Sequence, residues 1–422
     1  MTTVAEPETL DLARWIQPGD RIMMSQGCAE PLTLIECLVR QRAGLIEPRL
    51  FLTVSFSDAL RPEHADHLAF DGLGGLGSTT RLSRAGVLNP YPMHLSRLCN
   101  DIHSGRFKVD VVLVQLAGPD STGRYTAGLD HTVTEDLIRQ ARVVIAEVHP
   151  DASVLPGPGT ISPDQIDVTV ASRHALPAPP AVTPDAVDQR IAAHVAAYVD
   201  DGSTIEIGIG SVPSAVLDSL RGHRDLGLHT GMMSDAVVEL ITGGVITNRH
   251  KREDAGSSTA SSLFVGAGSR AVLRDLPVVL RPSRHTLTPA VLAQLPRFVA
   301  INSAVQVDLT GQVNAEYVAG RYVGAVAGHV DFARAAQASA DGRSITVLRS
   351  ETPSGTSRIV AGLSGGVVTL ARSDVDVVVT EWGAAELAGL SVNQRAHRMI
   401  EIAHPRHREQ LLAAWHQIAR GT

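Results

Sequence analysis

Cysteine is scarce: Cys28, Cys37 and Cys99 are the only three in 422 residues. An odd number without metal-ligand spacing argues against a disulfide framework and against a zinc site, so all three read as free thiols and no metal is expected. Positive charge is not in excess either. The formal net charge is −7 and the run His250-Lys251-Arg252 is too short for a polybasic tract, which leaves no field to draw in nucleic acid. No apolar run approaches the ~20 residues that span a bilayer. Residues 1–19 carry acids and no long apolar segment, so neither a membrane partner nor a signal peptide is expected. What is left is a soluble globular composition, with a bacterial-type cytoplasmic enzyme as the default and enough chain for two or three domains.

The most informative stretch begins at Thr204-Ile205-Glu206-Ile207, which reads as a short strand running into Gly208-Ile209-Gly210-Ser211-Val212-Pro213. Ala215, Val216, Leu217 and Leu220 then keep helical spacing. Glycine at 208 and 210 lets a ligand approach the backbone, and the first N–H groups of the following helix form an anion site. Glu206 is an acid in a strand otherwise apolar, on one face with Thr204 and Gly208 by alternation. Burial there would raise its pKa and suit acid–base work, whereas a fixed partner would make it structural. A second loop follows, His229-Thr230-Gly231-Met232-Met233-Ser234-Asp235.

Elsewhere the pattern is α/β. Arg21-Ile22-Met23-Met24 reads as a strand, followed by a tight turn and a helix with Pro31 at its first position. Within that turn Glu30 is either a binding carboxylate or a charge near a helix N-terminus, and Cys28 lacks the Cys-His signature of a nucleophile. Residues 71–78 hold four glycines, follow no clear strand and read as a flexible loop. Strands at 109–116 and 143–148 flank helical spacing in Val133, Leu137, Ile138 and Ala141, a strand–helix–strand unit. Pro177, Pro179, Pro180 and Pro184 mark residues 176–184 as the linker. Beyond it come a helix at 187–198 and strands near 299–301, 345–348 and 375–379. Val109-Asp110-Val111-Val112 and Val375-Asp376-Val377-Val378 look alike, which fits two similarly built halves.

Residues 208–220, Asp225-Leu226-Gly227-Leu228-His229-Thr230 and the run 244–248 carry a likeness that continues through Asp308-Leu309-Thr310-Gly311-Gln312-Val313-Asn314-Ala315-Glu316, Ser357-Arg358-Ile359-Val360, Thr380-Glu381-Trp382-Gly383 and Ile402-Ala403-His404-Pro405. Together they resemble the acetyl-CoA hydrolase and 4-hydroxybutyrate CoA-transferase family, the single-chain class I CoA-transferases. The resemblance implies an α/β fold of two tandem CoA-transferase-like domains, 1–183 and 184–422, with an active-site cleft between them. It also implies CoA or acyl-CoA as substrate with no permanently bound cofactor, and a homo-oligomer, with a dimer as the guess.

Two loops depart from the family pattern. The family's glutamate, which attacks the acyl-CoA to form a glutamyl-CoA thioester, is replaced by Gly231. Where the family reads Gly-Val-Gly-Gly-Gln, this chain has Ala325-Val326-Ala327-Gly328-His329. By resemblance the substrate is expected to meet Gly208, Gly210, Val212, Pro213, His229, Met232, Gly324, Ala327 and Gly328, with CoA phosphates held by one or more of Arg249, Lys251, Arg252 and Arg358. His329 is the first candidate for a general base, because imidazole titrates near neutral pH; its other reading is a replacement for the glutamine's volume. The expected activity is a reaction of an acyl-CoA thioester without a glutamyl-CoA intermediate, hydrolysis foremost. The alternatives are a CoA-transferase using a relocated carboxylate such as Glu206, and a catalytically silent CoA-binding subunit.

Overall fold

The structure, a computed structural model, describes residues 2–152, 155, 159–363 and 365–419. Its backbone forms two compact units. One comprises Met1–Pro180, Thr259–Thr286 and Arg321–Ala325, the other Ala181–Ser258, Leu287–Gly320 and Val326–Thr422. The chain passes from the first to the second inside the proline-rich stretch 176–184, and it later returns to the first unit twice. A division into uninterrupted stretches 1–183 and 184–422 would place both returns in the second unit.

The first unit is built on an eight-stranded sheet. Its strands are β1 (Thr3–Val4), β2 (Arg21–Met24), β3 (Arg49–Leu52), β4 (Ala69–Gly72), β5 (Leu88–Pro90), β6 (Val111–Ala117), β7 (Val143–His149) and β8 (Val168–Ala171). They lie in the order β1-β8-β7-β6-β2-β3-β4-β5, and every neighbouring pair is parallel. All seven residues of β6 are buried, which is why this segment reads as continuously apolar rather than alternating: helices and loops cover both faces of a parallel sheet. Ile22, Leu50, Leu113, Ile145 and Val170 share one core with Leu34 and Leu38 of α1 (Leu32–Gln41). All three cysteines are buried free thiols.

Two sequence readings change here. Residues 71–78 do follow a strand: Asp71 and Gly72 close β4. The strand is hard to see because its third residue is a carboxylate, fully buried and gripped by Arg49 on β3 at 2.7 and 3.0 Å. The glycines beyond it serve close approach rather than flexibility, since a Cβ on Gly74 would lie 2.1 Å from the Gly324 carbonyl oxygen and one on Gly75 2.3 Å from that of Tyr322. Glu30 is likewise committed to the fold. Buried at 2 % exposure, it accepts from the Ser55 hydroxyl at 2.9 Å, the Ser57 hydroxyl at 2.5 Å and the backbone N–H groups of Phe56 and Ser57. Its pKa stays raised by burial despite these donors. Pro31 caps α1 rather than opening it.

The second unit carries a six-stranded sheet of β9 (Thr204–Ile207), β10 (Gly227–Leu228), β11 (Phe298–Ser303), β12 (Arg343–Val347), β13 (Val377–Thr380) and β14 (Gly383–Glu386). The order is β10-β9-β11-β12-β13-β14, parallel throughout except for the β13–β14 pair. The likeness between the two valine runs has a structural counterpart. Just before β6, the Asp110 carboxylate accepts the N–H of Arg21 on the adjacent β2 at 3.0 Å; just before β13, Asp376 accepts the N–H of Ser344 on the adjacent β12 at 2.9 Å. In each unit one aspartate ties the start of its own strand to that of its neighbour.

The Arg49–Asp71 pair gives a direct test of what holds β4 in place. Arg49→Met should strand a buried carboxylate with Asn89 as its one remaining side-chain donor among the described residues and cost about 3 kcal/mol, whereas adding Asp71→Leu should recover most of that loss. Urea unfolding of the single and double variants measures both.

Candidate active site

In the second unit, β10, β9, β11, β12 and β13 run the same way, so their carboxyl ends fall along one edge of the sheet, where open α/β sheets leave their loops available to ligands. Gly208-Ile209-Gly210 leaves β9 there. A Cβ at Gly208 would meet nothing within 4 Å, and Gly210, with φ +126°, caps α3 (Ser211–Ser219), the helix that follows α2 (Ala186–Ala196), in a conformation that L side chains avoid. No side chain caps this helix. Pro213 in its first turn has no N–H to offer, so the N–H groups of Ser211 and Val212 are the backbone donors that precede it.

The loop after β10 is pinned to β9. The His229 N–H donates to the Ile205 carbonyl at 3.0 Å, the Thr230 hydroxyl to the Ile207 carbonyl at 3.3 Å, and Asn248 Oδ1 accepts the Leu228 N–H at 2.8 Å. His229 is fully buried. Met232 opens a short strand, Met232–Ser234, so the loop is shorter than the sequence implied. At Gly231 a Cβ would find only Phe332 Cε2, at 3.9 Å, an ordinary contact. Its φ is not among the positive values. Neither space nor backbone conformation therefore requires glycine at this position.

Phe332 lies on α4 (His329–Ala338), and the same Cε2 atom would be 3.1 Å from a Cβ on Gly328. Gly231 and Gly328 thus face one ring, which brings together the loops 229–235 and 324–329. Ala327, just before, has φ +45°, an alanine in the left-handed region that costs about 1–2 kcal/mol. Gly324 and Ala325 belong to the first unit, where the Gly324 carbonyl accepts the Gly75 N–H at 3.1 Å.

Two buried titratable side chains flank this arrangement. Glu206, 4 % exposed, receives one hydrogen bond from Asn302 Nδ2 at 2.8 Å; Asn302 stands two residues beyond Ala300, the register partner of Glu206 on β11. Burial is the dominant influence, and it pushes the carboxyl up to about 8. His329, the first residue of α4, is 6 % exposed, and its Nε2 is buried without a hydrogen-bond partner among the described residues. Burial pushes its pKa down to about 4. The imidazole is neutral at pH 7 but a much weaker proton acceptor than the ordinary value led one to expect, while Glu206 holds a proton near neutrality and can release it close to working pH.

Other candidates are taken up by the fold. Lys251 is buried with Nζ on the Leu228 and Ser257 carbonyls, each at 2.8 Å, and Arg249 pairs with Asp225 at 3.1 Å. Glu316 accepts from the Thr369 hydroxyl at 2.7 Å, and Glu381 from the Ser350 hydroxyl and N–H at 2.6 and 2.9 Å. Sequence reasoning missed Asn302. Its one signal is an amide side chain directly after the apolar run Phe298–Ile301, and its partner depends on strand register that a single sequence does not state.

Residues 4–158 match the family described as acetyl-CoA hydrolase/transferase N-terminal domain, and residues 272–415 its C-terminal domain. A 4-hydroxybutyrate coenzyme A transferase of Clostridium kluyveri is 32 % identical over 402 residues, covering 94 % of each chain. A succinyl-CoA:acetate/propanoyl-CoA:succinate CoA transferase of Fasciola hepatica is 33 % identical over 408 residues, 94 % of this chain and 84 % of that one. Among solved structures, RipA from Yersinia pestis superposes with a TM-score of 0.92 at 28 % identity, covering 99 % of this chain and 98 % of that one. Among the described residues no helix is long and apolar enough to cross a membrane.

The two shifted groups oppose each other in acid and separate near neutrality. Between about pH 4 and 6.5 the unfolded chain binds a proton at His329 that the folded chain does not, so raising the pH adds stability through that group. Between 4.5 and about 8 the folded chain keeps a proton at Glu206 that the unfolded chain has released, so raising the pH removes stability. From pH 6.5 to 8 only the second effect remains of the two. Urea unfolding should show wild type losing stability over that window, and Glu206→Gln should lack this loss. At Ala327, replacement by glycine should relieve more strain than it adds chain entropy, for a net gain of about 0.5 kcal/mol, read as a raised urea midpoint.

Proposed function

Because the chain belongs to the acetyl-CoA hydrolase/transferase family, we propose that it hydrolyses an acyl-CoA thioester without a glutamyl-CoA intermediate at position 231, with Glu206 as the acid–base group. The observation that carries this reading is the buried Glu206 carboxyl, held near pH 8 at the same sheet edge where Gly231 offers no side chain. In its ionised form Glu206 accepts a proton from a water whose oxygen bonds to the thioester carbonyl carbon, and the π pair moves to the carbonyl oxygen. Collapse of that intermediate breaks the C–S bond, and the departing thiolate takes the proton back from Glu206. The products are a carboxylic acid and CoA thiol. The N–H groups of Ser211 and Val212 are the donors that suit the developing oxyanion, each worth about 3 kcal/mol in such a role. Neutral His329 contributes a hydrogen-bonding nitrogen rather than a strong base. Coenzyme A enters as part of the substrate.

A second reading follows from the same residue. With Glu206 as nucleophile, its carboxylate would form the anhydride and then the thioester that a transferase route requires, and the burial that slows ionisation would be relieved by acylation.

Incubation with acetyl-CoA or butyryl-CoA, followed by hydroxylamine or borohydride and intact-mass analysis, separates these. Hydrolysis predicts steady thiol release, no adduct and no transfer of CoA to a second acid. Its rate should rise with pH toward a plateau above about 8, the pKa of the base, and fall about 100-fold or more in Glu206→Gln and detectably in His329→Gln. Gly231→Glu, whose Cβ would meet only Phe332 Cε2 at 3.9 Å, should introduce adduct formation. Efficient CoA transfer by the wild type, with an adduct mapped to Glu206, would overturn hydrolysis in favour of the second reading; binding of CoA without turnover would leave a silent subunit.

A further inference from the structure

Two arginines stand near the carboxyl end of β12 in opposite circumstances. Arg349 is neutralised, with Nε and Nη2 on the Asp188 carboxylate at 3.0 and 2.7 Å and Nη1 on Asp185 at 3.0 Å. Arg358 has no such company. Its Nε is sealed from solvent without a hydrogen-bond partner, and among the described residues its guanidinium makes no hydrogen bond or ion pair. The charged groups whose fields reach it are Arg349, which repels it, and Glu381; the Glu381 carboxylate is already engaged by the Ser350 hydroxyl and N–H.

The backbone of Arg358 is held firmly. Its N–H donates to the Ser350 carbonyl at 2.9 Å, its own carbonyl accepts the Val307 N–H at 3.0 Å, and Glu351 bridges Ser357. The stem is therefore fixed while the head, with five donors in a rigid fork, has nothing to hold. A half-buried cation with an orphaned donor is a standing cost to the fold. Ser350, which pins it, lies three residues past the end of β12, the second strand over from β9 in the sheet order. Of the four basic residues left open by the sequence, Lys251 is committed elsewhere, Arg249 is exposed and paired with Asp225 at the surface, and Arg252 is exposed. Only Arg358 is built into the edge and left unmatched.

We propose that Arg358 is the anion-holding residue of this site, gripping an oxyanion of the acyl-CoA through its guanidinium fork, either a carboxylate at the far end of the acyl group or a phosphate of coenzyme A. The proposal rests on the acyl-CoA reading above and assigns the charge of the ligand that the site selects.

The test compares wild type, Arg358→Met and Arg358→Lys by calorimetry and KM, using succinyl-CoA and butyryl-CoA, which differ by a terminal carboxylate, together with free CoA and S-acetylpantetheine, which lacks the nucleotide. If the anion is an acyl carboxylate, Arg358→Met weakens succinyl-CoA about 10- to 100-fold while butyryl-CoA and free CoA are unchanged. If it is a CoA phosphate, all three CoA species weaken alike and the pantetheine thioester does not. Arg358→Lys should keep part of the affinity, having charge without the fork. Thermal unfolding of Arg358→Met should show no loss of stability, since an unmatched cation has been removed; a clear drop in Tm would assign Arg358 to the fold and overturn the proposal. Unchanged affinities in a variant that still turns over thioester would also overturn it while leaving the acyl-CoA reading intact. If wild type binds no CoA thioester, that reading falls, and calorimetry with succinate and inorganic phosphate decides the anion site by itself: Arg358-dependent binding of either upholds it, and no binding overturns it.

Discussion

Parallel strand pairing sets the terms for the second unit. Each crossover must return over a face of the sheet before the next strand begins, so segments distant in sequence deliver their strand ends to a common edge: residue 207 from β9, 228 from β10, 303 from β11, 347 from β12 and 380 from β13. Chemistry is then gathered by register rather than by proximity along the chain. The Glu206–Asn302 contact spans 96 residues and exists because β9 and β11 are neighbours in a register that pairs Glu206 with Ala300. A slip of one residue would turn Glu206 to the other face of the sheet.

Burial then does to the side chains what sequence position alone does not reveal. An imidazole is an attractive base on paper, and a glutamate in a strand looks like an acid ionised at neutral pH. Taking both out of water reverses that order, since desolvation disfavours whichever form is charged: His329 is kept neutral and weakly basic, while Glu206 keeps its proton until about pH 8. Two groups whose environments push their pKa values in opposite directions acquire opposite acid–base roles. The absence of a carboxylate at position 231 and the presence of a titratable carboxyl on β9 are consequently parts of one chemical question.

The elements legible in sequence were those whose signal is local. β2 and β9 fall where apolar runs and flanking turns placed them. Long-range pairing was not legible. Asp71 disguised β4 because its neutralising partner, Arg49, lies 22 residues away on another strand. Glu30 looked available because nothing near it in sequence announces that Ser55 and Ser57 would close around it. The glycines at 74 and 75 look like flexibility, yet they answer to backbone from residues 322–324, invisible until the chain has folded. For the candidate site, family likeness pointed to the loops, but Asn302 and the isolation of Arg358 required three dimensions.

Among the described residues, the edge of the second sheet also concentrates features that work against stability: an alanine in left-handed conformation at 327, a carboxyl without a counter-ion at 206, an imidazole nitrogen without a partner at 329 and a guanidinium without one at 358. Cores elsewhere in the chain are resolved differently, with Asp71, Asp188 and Glu30 each buried and each surrounded by donors. A sequence selected only for a stable sheet would be expected to match or remove the unmatched groups, since each costs on the order of 1–3 kcal/mol. Their clustering where parallel strands open toward a ligand is the pattern expected when interactions are left incomplete in the free protein and completed by substrate, so that binding supplies partners which folding alone does not.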